Sequence, residues 1–147
     1  AVSPIVSFRT GWPLPVYGAQ DNSGTFGRGA RANCNGLPPI TKTSIEGVGV
    51  QWFTNTGQFT QPAKGTFGNC SPQLDDLRSP HYTDVDLSLH KDFPIREQFR
   101  LQFRTDFINA FNHVQYNAPN MGLGSTMGQI TGAQPPRNIQ LALKIYY

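Results

Sequence analysis

The residues that could do chemistry in this chain are three histidines, two cysteines and a few closely spaced carboxylates. The histidines, His81, His90 and His113, lack the short helical spacing that lets two imidazoles share a metal ion, and the cysteines are not at zinc-finger spacing. The Gly-rich run GLGSTMG lacks the Lys and the following Ser or Thr of a phosphate-binding loop, so turn formation explains it. We therefore expect no catalytic residues, no enzymatic activity, no metal ion and no cofactor.

Two pairs of aspartates have two interpretations each. Asp84 and Asp86 alternate on one predicted strand and could bind a cation, but the solvated face of a strand has the same pattern, and we prefer that interpretation. Asp75 and Asp76 lie in a predicted loop and could favour Ca²⁺, yet they lack the Gly-containing ligand loop of a calcium site. Neither pair predicts a metal site.

Composition argues against two classes of protein. The net charge of +3 comes from scattered Lys and Arg, without the clustered cations and stacking aromatics of a nucleic-acid-binding protein. No apolar run is long enough for a transmembrane helix, whereas a membrane β-strand is compatible because its alternation averages to near neutrality.

With 15 Gly and 12 Pro, the chain is rich in turns and extended backbone. There is no basic-then-apolar leader before Ala1, so we expect a processed end or an excised segment.

The clearest element is the terminal segment NIQLALKIYY, in which apolar residues occupy every second position and the last residue is aromatic. A period of two predicts a β-strand with one apolar face, whereas a helix would need apolar residues three or four apart. Other extended segments show the same alternation. The apolar positions that we expect to form strand faces, and to act in assembly, are Val6, Phe8, Val85, Leu87, Leu89, Phe99, Leu101, Phe103, Ile139, Leu141, Leu143, Ile145 and Tyr147.

These patterns predict an all-β fold of antiparallel strands with long surface loops. The short connection Pro94–Gln98 predicts a hairpin turn, and the connections before and after the hairpin are long. Long outer loops and short periplasmic turns are typical of outer-membrane β-barrels, which would place this turn at the periplasmic end. We expect a single β-domain, 1–147, made of an extended arm (1–17), a long loop (18–81), a β-hairpin (82–113), a second loop (114–137) and a C-terminal strand (138–147).

Several motifs together resemble one family. The segments GTFGN, DVDLSLHKDF, LQFRTDFINAFNH, YNAPN and GQITGAQPPRNIQLALKIYY are similar to the C-terminal end of TonB-dependent outer-membrane receptors of the Oar-like, carboxypeptidase-regulatory-domain type. Upstream, SFRTGWPLPV, DNSGTFGRGARAN and WFTNTGQF resemble the strand and outer loop that precede it. The resemblance implies late strands of a barrel of about 22 strands, which surrounds a plug and imports large ligands with energy from TonB. The plug and most of that barrel are not among these residues.

The two cysteines, Cys34 and Cys70, both lie in the predicted loop 18–81. Because a bacterial surface or extracellular setting is oxidising, we expect them to form a disulfide, which would stabilise the fold by about 4 kcal/mol through chain entropy. The alternative is two unrelated buried thiols. Members of the family often have a small residue where Cys70 follows GTFGN, so the bridge would be a local addition.

The predicted strands are too few to close a barrel, and an isolated sheet would leave two rows of unpaired backbone groups. We therefore expect a structural subunit of an extracellular filament at or beyond the cell surface, whose edges are completed by neighbouring copies through β-strand complementation. The arm 1–17 and the strand 138–147 are the candidates for exchange. The alternative is the C-terminal part of a TonB-dependent transporter barrel in the outer membrane, with the barrel-assembly machinery as a partner. A secreted domain that binds glycans or peptides through its loops is a third hypothesis.

Overall fold

A computed structural model describes residues 1–26, 30–97 and 99–147. Within them the chain forms antiparallel strand pairs, one 3₁₀ turn at Thr56–Gln58 and no α-helix, which confirms the predicted all-β fold class. None of the described segments is a helix long and apolar enough to cross a membrane. The strands are β1 (Val2–Arg9), β2 (Pro13–Leu14), β3 (Asn33–Cys34), β4 (Ile40–Ile45), β5 (Gly49–Phe53), β6 (Phe59–Thr60), β7 (Leu74–Arg78), β8 (Tyr82–Arg96), β9 (Phe99–Ile108), β10 (Gln129–Ile130) and β11 (Asn138–Tyr146).

The chain divides into two compact units. The first, which we call the sheet unit, consists of Ala1–Thr10, His81–Gln115 and Gln134–Tyr147. The second, the core unit, consists of Gly11–Pro80 and Tyr116–Ala133.

The sheet unit is one four-stranded antiparallel sheet in the order β1-β8-β9-β11. These are the four long segments in which apolar and polar residues alternate, and each pairs over most of its length. The strands β1 and β11 are the outer strands of the sheet, and no other strand of the described residues pairs with their outward edges. The sheet is therefore open at both sides.

The β8–β9 hairpin corrects the predicted turn at Pro94–Gln98. β8 continues through Pro94, which lies opposite Arg100, and the register shifts before Arg96. A proline fits there because β1 pairs with β8 only as far as Ala1 and His90, so the missing N–H of Pro94 costs no ladder bond. The last residue of the predicted turn, Gln98, lies outside the described residues, as do residues 27–29 of the motif DNSGTFGRGARAN.

Two other predicted strand boundaries also change. The arm 1–17 forms a strand of the sheet only over Val2–Arg9, because the chain then enters the core unit. The strand predicted to run from Phe99 to about residue 112 ends at Ile108, where Asn109 adopts a left-handed conformation with φ of 53°. Asn109 tolerates that conformation because its side-chain amide accepts from the backbone N–H of His113 and donates to the His113 carbonyl, which closes a turn.

The core unit occupies most of the two segments that we predicted to be loops, 18–81 and 114–137. It contains three small sheets, with the orders β10-β5-β4, β2-β7 and β3-β6, around a buried apolar cluster. Sequence periodicity could not reveal these strands, because the longest has six residues and the buried residues are scattered between turns. The cluster contains Leu14, Val16, Ala32, Val50, Trp52, Phe53, Phe59, Cys70, Leu74, Leu77, Met121, Met127 and Ile130.

The Cys34–Cys70 disulfide is present, as predicted, and it closes a loop of 36 residues in the core unit. Cys34 ends β3, and Cys70 is packed in the apolar cluster with 1% of its surface exposed. The Cys70 backbone N–H donates to Ala32 at 3.0 Å, and the Arg31 guanidinium donates to the Cys70 carbonyl at 3.0 Å. The bridge therefore joins the β3 strand to a loop that is already anchored by backbone hydrogen bonds.

Candidate functional site: the apolar face and the open edges of the sheet

The register of the four long strands places the predicted apolar positions on one face. Across β8, β9 and β11, Leu87 lies opposite Phe107, which lies opposite Ile139. Residues that are directly opposite in an antiparallel pair project to the same side, so each such row extends the same surface. This surface, which we call the apolar face, also contains Val6, Phe8, Val85, Leu89, Phe99, Leu101, Phe103, Leu141, Leu143 and Ile145, and Tyr147 follows β11 at its end.

The same face also contains apolar residues that were not predicted to lie there. Val2 lies opposite Leu89, and Phe93 lies opposite Leu101. They occupy the same alternating positions along their strands as the predicted residues, so the alternation in the sequence could have identified them. Lys91 differs from the other residues of this face because it is a cation, and it lies opposite Phe103.

Much of the apolar face is uncovered. Val6 is 70% exposed and Leu141 is 68% exposed, while the residues of the two inner strands are partly covered by their neighbours. A contiguous apolar surface of this kind is rare on a monomeric water-soluble protein and indicates contact with a membrane or with another protein. The face is therefore the strongest candidate for a functional surface.

The opposite face of the sheet is polar and is linked by side-chain interactions between strands. Asp106 accepts a hydrogen bond from Ser88 of β8 and forms an ion pair with Arg104 at 2.8 Å. Asp92 accepts from Gln102 at 2.8 Å. All four aspartates of the long strands lie on this polar face, since their positions alternate with the apolar ones. The acidic residues of the sheet are therefore confined to one face, which also contains a few apolar side chains such as Ile5, opposite Asp86, and Ile108, opposite Asn138.

The candidate cation ligands lie apart or are already engaged. The Asp84 carboxylate accepts from the Tyr82 hydroxyl at 3.0 Å, and Asp86 accepts from the backbone N–H of Asn109 at 2.9 Å. His90 is on the polar face, and the rings of His81 and His113 are 6.5 Å apart. No group of three or more His, Cys, Asp or Glu side chains that could hold a metal ion occurs in the part of the chain that the structure describes.

The second aspartate pair lies on a strand and not in a loop. Asp75 and Asp76 both belong to β7 of the core unit and are exposed. Asp75 forms an ion pair with Arg78 at 3.7 Å, and Arg78 also donates to the Gly11 carbonyl at 2.9 Å. The two carboxylates are therefore part of a surface strand pair.

The backbone N–H and C=O groups of successive β1 residues point alternately toward β8 and toward the open edge. Ala1 donates to the His90 carbonyl at 2.6 Å, and His90 donates to the Ala1 carbonyl at 3.0 Å, so the two residues form a hydrogen-bonded pair. Such pairs recur at every second residue of an antiparallel ladder. The backbone groups of the intervening residues, including Val6 and Phe8, therefore point away from β8 toward the open edge.

The same alternation extends to the other edge. The even-numbered residues of β8 make backbone hydrogen bonds with β1, so its odd-numbered residues make them with β9. The even-numbered residues of β9 then make backbone hydrogen bonds with β11, through pairs such as Gln102 and Lys144. The odd-numbered residues of β11 therefore direct their backbone groups outward. Both open edges are thus formed by residues of the apolar face, and in β1 one of these positions is Pro4, which has no N–H to donate.

Comparison with known protein families gives a match. A family model described as an outer membrane beta barrel domain matches residues 1–140. No curated protein and no solved structure matches the chain. The matched range includes β1, β8 and β9 entirely and the first residues of β11.

Proposed function

Because the chain belongs to the outer membrane beta barrel domain family, we propose that its four long strands form part of the wall of a TonB-dependent transporter barrel, with the apolar face toward lipid. Family membership indicates a location at the outer membrane or the cell surface. The TonB-dependent, Oar-like assignment is supported by the motifs of the hairpin and of the terminal strand. In this proposal the chain is not an enzyme, and its role is to enclose a transport path.

The observation that carries the proposal is the separation of the two faces. Apolar residues cover one side of all four strands, and the aspartates of those strands are on the other side. A membrane barrel needs this arrangement, because its outward face meets hydrocarbon and its lumen is polar. Strand length agrees, since the ten residues of β9 rise about 33 Å, and a tilt near 45° leaves about 24 Å of height, close to the apolar band of such barrels.

The connections between strands support an orientation. β8 ends at Arg96 and β9 begins at Phe99, so only two residues separate them, whereas the connections from β1 to β8 and from β9 to β11 are long. Outer-membrane barrels have short periplasmic turns and long outer loops. We therefore assign the β8–β9 hairpin to the periplasmic end of the sheet.

The test compares two adjacent residues of β11 that lie on opposite faces. An environment-sensitive fluorophore is attached in turn to Leu143→Cys and Ala142→Cys in the full chain, which is folded into phospholipid vesicles. The native cysteines are bridged, so each variant has a single reactive thiol. We expect blue-shifted emission and quenching by lipid-borne nitroxide at residue 143 only. Equal emission at both residues would contradict the proposal.

A second candidate function is the extracellular filament subunit, and the open edges favour it. The four strands alternate in direction, so β11 of one copy can pair antiparallel with β1 of another. The outward backbone groups of both edges come from the apolar face, and the joined sheets would therefore continue that face without interruption. Such a head-to-tail contact does not close by itself and produces a filament.

The filament differs from the barrel in what covers the apolar face. In water, a single layer of joined sheets would leave that face exposed, so a filament needs a second layer packed against it. Negative-stain microscopy of the full chain without detergent separates the two functions. Extended fibres support the filament, whereas material that is dispersed only in detergent or lipid supports the barrel wall.

A further inference from the structure

Before the register shift at Pro94, the apolar face of β8 contains one cation among its apolar rows. Lys91 lies on β8 between Leu89 and Phe93, and it is opposite Phe103. No carboxylate of the long strands shares this face, since all of them are on the polar side. The charge of Lys91 is therefore not balanced within its own surface.

The side chain of Lys91 leans toward the hairpin end of the sheet. Its ammonium nitrogen is 5.0 Å from the centre of the Phe93 ring, and Phe93 is two residues closer to the hairpin. Arg96, opposite Phe99, places a second cation at that end. A lysine that extends its apolar stem along hydrocarbon and directs its charge to the membrane boundary has this geometry.

A groove on the same face begins beside Lys91. It has a volume of about 510 Å³, and its lining consists of Ala1, Val2, Leu89, His90, Lys91, Phe103 and Thr105. Thr105 lies opposite Leu89 on one side and Leu141 on the other. Because its side chain is shorter than these neighbours, it leaves a depression in the face. The groove is thus mainly apolar along Val2, Leu89 and Phe103, with the Lys91 cation at one end and the paired residues Ala1 and His90 at its side.

We propose that this groove binds one phospholipid of the periplasmic leaflet, with an acyl chain along Leu89 and Thr105 and the anionic phosphate at the Lys91 ammonium. The proposal rests on the proposed barrel function, because it needs the apolar face to lie in a bilayer. Charge complementarity identifies the occupant: a lipid phosphate supplies the negative charge that the face lacks, and an acyl chain fits the apolar floor. The hairpin assignment selects the periplasmic leaflet, which consists of phospholipid.

The experiment measures lipid binding to the full chain in detergent by native mass spectrometry. The titrated lipids are phosphatidylglycerol and, with the same acyl chains, zwitterionic phosphatidylcholine; lipid A and inorganic phosphate are added as competitors. The variant is Lys91→Gln. Its matched control is Lys144→Gln, which removes the same charge from the polar face opposite Gln102. Lys91→Arg retains the charge and reports whether the site itself is intact.

We expect Lys91→Gln to bind phosphatidylglycerol about fivefold more weakly than the parent chain, which corresponds to the loss of one cation near a membrane surface. Lys144→Gln and Lys91→Arg should bind as the parent does, phosphatidylcholine should bind more weakly, and inorganic phosphate should not compete. Equal binding by Lys91→Gln and the parent, an equal loss in Lys144→Gln, or full competition by lipid A or inorganic phosphate would each overturn the site.

The fluorophores at residues 142 and 143 separate this proposal from the barrel function. If the probe at residue 143 reports lipid and Lys91→Gln binds normally, the lipid site is wrong and the barrel wall stands. If the probe at residue 143 reports water in vesicles, the barrel function is wrong, and the lipid site fails with it.

Discussion

Leu143 lies directly opposite Phe103 across the β9–β11 pair, and both side chains belong to the apolar face. Its neighbour Ala142 lies opposite Arg104 on the polar face. One residue of sequence therefore separates an apolar environment from a cationic one, because successive side chains of a strand project to opposite sides. This relationship provides a matched pair of positions for mutation.

Leu143→Asp should destabilise the folded chain by about 2 kcal/mol in a bilayer, because a carboxylate replaces an apolar side chain on the lipid-facing surface. Ala142→Asp should be nearly neutral, since the new carboxylate faces Arg104. Urea unfolding of both variants in vesicles measures the difference. Equal free energies of unfolding for the two variants would show that the faces are misassigned.

The sequence alone would suggest Gln102→Asp as the silent control, and the structure argues against it. Gln102 donates to Asp92 at 2.8 Å and accepts from the Tyr146 hydroxyl at 3.3 Å. An aspartate there would lose the first bond and place two carboxylates together. Strand parity predicts the face of a residue correctly in this sheet, but it does not reveal the partners across the strands.

Removing the disulfide should affect the core unit. A chain with Cys34→Ser and Cys70→Ser should unfold at lower denaturant concentration, with a loss of about 4 kcal/mol, because the bridge closes a loop of 36 residues. The fluorescence of Trp52, which is 8% exposed and donates to the Arg78 carbonyl at 2.7 Å, reports on unfolding of the core unit. The parent chain with and without reductant is the comparison, and an unchanged midpoint would contradict the expected contribution of the bridge.

The disulfide was predictable and the unit around it was not. Two cysteines in one exported segment suffice to predict a bridge. Cys34 ends a strand of only two residues, Cys70 lies in a loop, and buried residues such as Leu77 and Ile130 come from distant parts of the sequence. A core of this kind is determined by tertiary contacts, whereas the long strands are determined by local alternation, which is visible in the sequence.

Gly68→Ala should destabilise the core unit by about 1–3 kcal/mol, as expected when a methyl group is forced into a packed site. A Cβ at Gly68 would lie 2.0 Å from the Arg31 carbonyl oxygen, so the backbone near the disulfide must move. Gly57→Ala is the control, because a Cβ there meets nothing within 4 Å. Thermal unfolding followed by Trp52 fluorescence should give a lower midpoint for the first variant only. A Gly68→Ala chain as stable as the parent would mean that the two segments are not in close contact.

N-methylated peptides of residues 138–147 should show which edge of this strand pairs with the open edge of β1. A synthetic peptide of residues 138–147 can pair with the open edge of β1 through the backbone groups of Leu141 and Leu143, which point outward in the sheet. N-methylation at Ala142 and Lys144 leaves that edge intact and blocks the opposite one, so this peptide should bind β1 and stop further strand addition. N-methylation at Leu141 and Leu143 should abolish binding, because those N–H groups make the new pair. Light scattering of the assembling chain measures both peptides. Stronger inhibition by the peptide methylated at Leu141 and Leu143 would show that the outward residues of β11 are the even-numbered ones, and equal inhibition, or none by either peptide, would contradict pairing at the edge of β1.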